Sequence, residues 1–80
     1  MEPGRPMTFG EIAVGLTFNP SGDDAVNECK ETFAKAIDQM NDLRQSEECT
    51  PGKARHASTA ITMLEDAQMR AVKAITWKTN

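Results

Sequence analysis

This 80-residue chain has one histidine, two cysteines and no tyrosine, which leaves little for metal or nucleophilic chemistry. His56 stands at no metal-ligand spacing from Cys29 or Cys49, and the cysteines stand at none from each other. Neither a zinc site nor a Cys/His nucleophile is expected. No glycine-rich phosphate loop follows a strand pattern. The carboxylate pairs Asp23/Asp24, Glu47/Glu48 and Glu65/Asp66 fall at a helix start, in a loop and on a solvated face, where ordinary surface charge belongs. No catalytic residue, cofactor or metal is therefore expected, and an enzyme is the weakest reading. Long apolar runs are missing too, so no membrane span is expected. Residues 1–10 hold no continuous apolar stretch of the kind a secretory signal needs, and a reducing cytoplasm is the expected location.

Acidic residues outnumber basic ones twelve to nine, for a net charge of −3. Such a surface repels a nucleic-acid polymer, so DNA and RNA are not expected partners. A small anion needs only a few local cations and is compatible with that balance. A chain this short forms one domain at most, buries little apolar surface and is expected to self-associate.

The segment Met1 to Met7 holds two prolines and a glycine and reads as a disordered lead-in, with Met7 a second possible start. In residues 8–20 the apolar positions Ile12, Val14, Leu16 and Phe18 alternate with period two around Gly10 and Gly15. That alternation predicts an extended arm lying on helices of the same chain or of a neighbour. Pro20 turns the chain, and Ser21 or Asp23 can cap a helix over 21–45. Its apolar stripe is Val26, Cys29, Phe33, Ile37, Met40 and Leu43, opposite Glu31, Lys35, Asp38 and Asp42. The polar stretch 46–50 is the hairpin loop, and Thr50-Pro51 reads as N-cap and first residue of a second helix over 51–76.

That second helix carries two stripes. Ala57, Ile61, Leu64, Gln68, Ala71 and Ile75 form one, and Ala60, Met63, Ala67 and Ala74 the other. Small side chains let helix axes approach closely, so the second stripe predicts a second neighbour, most simply another subunit. The fold expected over residues 8–80 is therefore all-α: an antiparallel two-helix hairpin with an extended N-terminal arm, assembled into a symmetric oligomer. Ala60, Ala67, Met69 and Trp77 are its expected interface residues.

Groups that could hold a ligand are few. Phe18 stands before the first long helix and could stack on a base, while Lys30 flanks the buried stripe, where its ammonium could meet a phosphate. Arg70 and Lys73 share one side of the second helix with Trp77 one turn on. The alternative is structural: Phe18 and Trp77 as hydrophobic staples, Lys30 along the core edge, and Arg70 and Lys73 serving the helix dipole or Asp66.

The strings Phe18-Asn19-Pro20-Ser21-Gly22, Val26-Asn27-Glu28-Cys29-Lys30, Ala60-Ile61-Thr62 and Ala67 to Trp77 resemble the helical-hairpin sponges that bacteriophages use against signalling-based immunity. These are the anti-CBASS proteins and the hairpin portion of the anti-Thoeris proteins, and the resemblance covers roughly Thr8 to Lys78. It implies a homo-oligomer, from a dimer up to a hexamer built of three dimers, that sequesters cyclic dinucleotides and related cyclic nucleotides intact in the host bacterial cytoplasm. It also implies a dinucleotide site built on an aromatic and a lysine, here Phe18 and Lys30, with Asn19 and Ser21 on the same rim. The family aromatic is a tyrosine, so Phe18 keeps the stacking face and loses the hydroxyl. The family's trinucleotide site uses a polar segment of the second helix with an arginine; the matching place here holds Ile61, with Thr62 beside it and Arg55 earlier on the helix. The other reading is a small oligomeric interaction protein that binds a host protein and has no nucleotide site.

Overall fold

The computed structural model describes residues 5–78. Three helices follow one another: α1 (Phe9–Ala13), α2 (Asp24–Gln45) and α3 (Pro51–Thr76). No strand occurs among the described residues. The long helices form an antiparallel hairpin. At its closed end Arg44 donates to the Ser58 hydroxyl at 3.1 Å, and at its open end Val26 shares a cleft with Val72 and Thr76.

The arm is not the extended segment predicted from its period-two pattern. Phe9–Ala13 is helical, and Thr8 starts it with a capping box: the Thr8 hydroxyl accepts from the Glu11 amide while the Glu11 carboxylate accepts from the Thr8 amide. Thr8-Phe9-Gly10-Glu11 spells that box in the sequence. Two intrahelical bonds and a cap outweigh an alternation with no sheet to join. The lead-in predicted over 1–7 is corrected in its last residues, since Arg5 pairs with Glu11 at 2.8 Å and Met7 packs against the core. Residues 1–4 lie outside the described residues.

Caps define the long helices. Asp23 is the N-cap of α2, accepting from the Ala25 amide at 2.8 Å. The helix begins at Asp24 rather than at residue 21 because Gly22 adopts a φ of 65°, a left-handed conformation that no helix residue holds. Thr50 caps α3 through the Lys53 amide, with Pro51 in the first turn.

The core joins Val14 and Leu16 of the arm to Ala34 and Ile37 of α2 and Ile61 of α3, with Phe33, Met40 and Leu64 around it. α2 therefore has a neighbour on each side. Its fully buried residues are Val26, Lys30, Ala34 and Ile37, a stripe turned toward the arm from the one predicted through Cys29, Met40 and Leu43. Asp38, expected on the solvated face, accepts from the Gly10 amide at 2.7 Å. Gly10 is buried directly on Ala34, and a Cβ there would run into the Ala34 carbonyl oxygen. The Cα trace spans 45 × 35 × 12 Å, so the helices lie side by side in one flat layer.

Gly10→Ala is expected to lower stability by about 1–3 kcal/mol, the range for forcing an extra carbon into a packed contact, measured by urea unfolding. Cooperative unfolding at the wild-type midpoint would show that α1 does not dock as described.

Candidate ligand-binding site

The site begins with a turn. After α1 the chain reverses through Gly15, whose φ of 61° favours glycine, and the Leu16 amide donates back to the Glu11 carbonyl at 3.0 Å. Val14 and Leu16 are driven into the core, which leaves Phe18 on the outer side of the turn with 71 % of its surface exposed. The backbone beneath the ring is held by Lys30. This side chain is 5 % exposed, and its ammonium donates to the Gly15 carbonyl at 3.0 Å and to the Phe18 carbonyl. It also lies 5.5 Å from the centre of the Phe18 ring, within cation–π range. An ammonium has three N–H donors, so one remains beyond the two carbonyls.

Phe18 and Lys30 form a partition between two clefts. One, of about 340 Å³, is shared with Asn19, Ser21, Thr76 and Lys78. The other, of about 430 Å³, lies between residues 12–15, at the end of α1 and the start of the turn, and α3, with Glu65, Gln68 and Met69 on its helix side. Asn19 and Ser21 are positioned by the α2 cap: the Ser21 hydroxyl donates to the Asn19 side-chain carbonyl at 2.8 Å and accepts from the Asp23 amide at 3.2 Å, while the Asn19 amide donates to the Asp23 carbonyl at 3.0 Å. The structure thus brings Phe18, Asn19, Ser21 and Lys30 together.

Arg55 and Thr62 are not part of that group. Both are exposed on α3, seven residues apart and so on one face, and Arg55 is about 30 Å along the helix from Thr76. The four expected interface residues also separate. Ala60 and Ala67 line an apolar groove of about 460 Å³ with Ala36, Met40, Met63 and Leu64. Met69 borders the Gln68 cleft. Trp77 caps the C-terminus of α3 with Arg70 and Lys73, the Lys73 ammonium 5.6 Å from the indole.

Sequence reasoning assigned Gln68 to the apolar stripe of the second helix and missed it as a site residue. It is buried with that stripe, yet the residue also lines a cleft. Periodicity puts it in the core; a polar residue at a core position was the available signal. Electrostatically, the rim is anchored through α1, where the hydrogen bond from Arg5, with the Thr8 amide behind it, holds the Glu11 carboxyl below the usual range. Among the described residues no His, Cys, Asp or Glu cluster could hold a metal, and no helix is long and apolar enough to cross a membrane.

The model of the Acb2/Tad1 hairpin domain matches residues 10–76. The chain belongs to the Acb2/Tad1 hairpin family. Membership supports a general role in phage anti-defence through cyclic-nucleotide binding, and the domain is a binding module rather than a known enzyme fold. No curated protein and no solved structure matches the chain. In this hairpin the resemblance residues at the mouth, Phe18 and Lys30, are in contact, whereas those farther along α3 stand apart from them.

Lys30→Met would leave the Gly15 and Phe18 carbonyls without their shared donor. The expected loss of stability is about 1–3 kcal/mol, the cost of stranding part-buried polar groups, read by thermal or urea unfolding. Unchanged stability would mean that the ammonium does not hold the turn.

Proposed function

We propose that this member of the Acb2/Tad1 hairpin family binds cyclic dinucleotides and sequesters them without cleavage. The observation that carries the reading is the partition: an exposed ring at 71 % accessibility, fixed by a buried lysine and flanked by a cleft on each side. A base can stack on such a ring in either cleft. The unused N–H of Lys30, with Lys78 and Ser21 nearby, offers phosphate oxygens a charge-assisted contact. On this reading the ligand is held by stacking and charge alone and is returned intact.

The working form is a symmetric homo-oligomer in the host cytoplasm, a dimer or an assembly of three dimers. A hairpin whose Cα trace is only 12 Å deep and which exposes Met63 and Met69 at 65 % and 60 % has apolar surface left to bury, and the groove at Ala60 and Ala67 is where helices can approach closely. Two copies would offer two Phe18 rings to a two-fold cyclic dinucleotide. Arg55 and Thr62 take no part in the Phe18 clefts, and Ile61 beside Thr62 stands where the family's trinucleotide segment is polar, so the reading rests on cyclic dinucleotides.

Incubation with cyclic dinucleotides followed by heat denaturation tests the mode of action. The free ligand is expected to disappear and to reappear unaltered after denaturation. Products in the supernatant would identify an enzyme, and undiminished ligand would leave a helical module that binds a host protein. Phe18→Ala is expected to weaken cyclic-dinucleotide affinity by about 1–3 kcal/mol, roughly 5-fold to 150-fold, measured by titration calorimetry. Wild-type affinity in that variant would remove Phe18 from the site.

A further inference from the structure

Gln68 is the one core position of α3 whose chemistry does not suit a core. It lies on the stripe of Ile61 and Leu64 and is 6 % exposed, yet its side chain makes no hydrogen bond with any described residue. Among the described residues no buried side-chain nitrogen or oxygen is sealed away without a partner, and Gln68 lines the cleft of about 430 Å³ between residues 12–15 and α3. A carboxamide on an apolar stripe packs less favourably than Leu or Met would, and a ligand that hydrogen-bonds it in the cleft offsets that difference.

We infer that Gln68 is the base-reading residue of the nucleotide site, an inference that rests on the sponge reading above. The cleft has the parts a nucleobase needs: the Phe18 ring on its border for stacking, the apolar Val14 and Met69 as walls, and two polar groups, Gln68 and Glu65. A carboxamide presents a donor beside an acceptor, the pattern complementary to adenine N6–H and N7. Glu65, an acceptor when ionised, serves a second hydrogen of an exocyclic amino group. Guanine offers O6 and N7 on that edge, two acceptors that leave Glu65 facing like polarity. The cleft accordingly takes an adenine by its amino edge, while the phosphates lie across the partition with Lys30, Ser21 and Lys78.

Gln68→Met conserves length and volume while removing the amide, and two readouts of the full chain are expected to move in opposite senses. Affinity for cyclic di-AMP falls about tenfold or more by calorimetry, whereas the melting temperature of the unliganded protein stays level or rises. In wild-type protein the Gln68 side-chain amide resonances are expected to shift on addition of adenosine, which has the base and no phosphate. Unchanged cyclic di-AMP affinity in Gln68→Met, with Phe18→Ala losing it, would overturn the role of Gln68 and leave the sponge reading standing. A fall in unliganded melting temperature together with unshifted amide resonances would make Gln68 a packing residue and overturn it as well. Failure of the wild-type chain to bind cyclic di-AMP would overturn the adenine assignment, and failure with every cyclic dinucleotide would end the sponge reading too.

Discussion

The contact between the Lys30 ammonium and the carbonyls of Gly15 and Phe18 ties the fold to the site. Burying an ammonium is costly unless its donors are satisfied, and here two backbone oxygens of a tight turn satisfy two of the three. In return the turn acquires a fixed point on α2, and the short helix before it is pinned by a second one, the Gly10 amide on Asp38. Lys30 and Asp38 lie eight residues apart on α2, so both anchors stand on one face, a little over two turns from each other. The arm is therefore clamped at two places onto a single rigid helix. Phe18 inherits its position from that clamp rather than from packing of its own ring.

A clamp of this kind is needed because the domain has only one layer. Folded domains bury a core between two layers of secondary structure, and a hairpin that spans 12 Å in its thin direction has only an edge-on core. Among the described residues Ile37 alone of the larger side chains is completely enclosed. Polar anchors thus carry a share of the organisation that a thicker protein leaves to apolar burial, and the remaining apolar surface on α3 is available to further copies.

The helical hairpin was legible because long helices announce themselves: the stripes on α2 and α3, the Thr50-Pro51 start and the acidic cap at Asp23 all depend on local spacing. α1 was obscured by a real but misleading alternation of Ile12, Val14, Leu16 and Phe18, which arises because Val14 and Leu16 lie in a turn that points both inward. The capping box at Thr8 and Glu11 was the competing signal. Phe18 and Lys30 were readable as a pair only through resemblance, since nothing in a sequence says that a lysine on one helix reaches the carbonyls of a turn twelve and fifteen residues earlier. Asp38 was misassigned, and the cleft beside the correctly buried Gln68 went unread, for one reason: helical periodicity tells which face a residue occupies, and not which face has two neighbours or an open cleft.

The acidity of the chain fits this division of the mouth. A net charge of −3 opposes a long polyanion along its whole length, but screening confines that opposition to about 8–10 Å at physiological salt. A compact ligand therefore meets mainly the charges that line its own cleft. Those are unequal on the two sides of Phe18: Lys30 and Lys78 beside Asn19 and Ser21 on one, Glu65 and Gln68 on the other, with Lys30 at the partition itself. Phosphates placed beside Glu65 would be repelled, and a base placed among the lysines would leave its amino edge facing donors. On the proposed reading, the ring between them lets one nucleotide satisfy both sides at once, so that the side chains attracting the anion would also set which way round it binds.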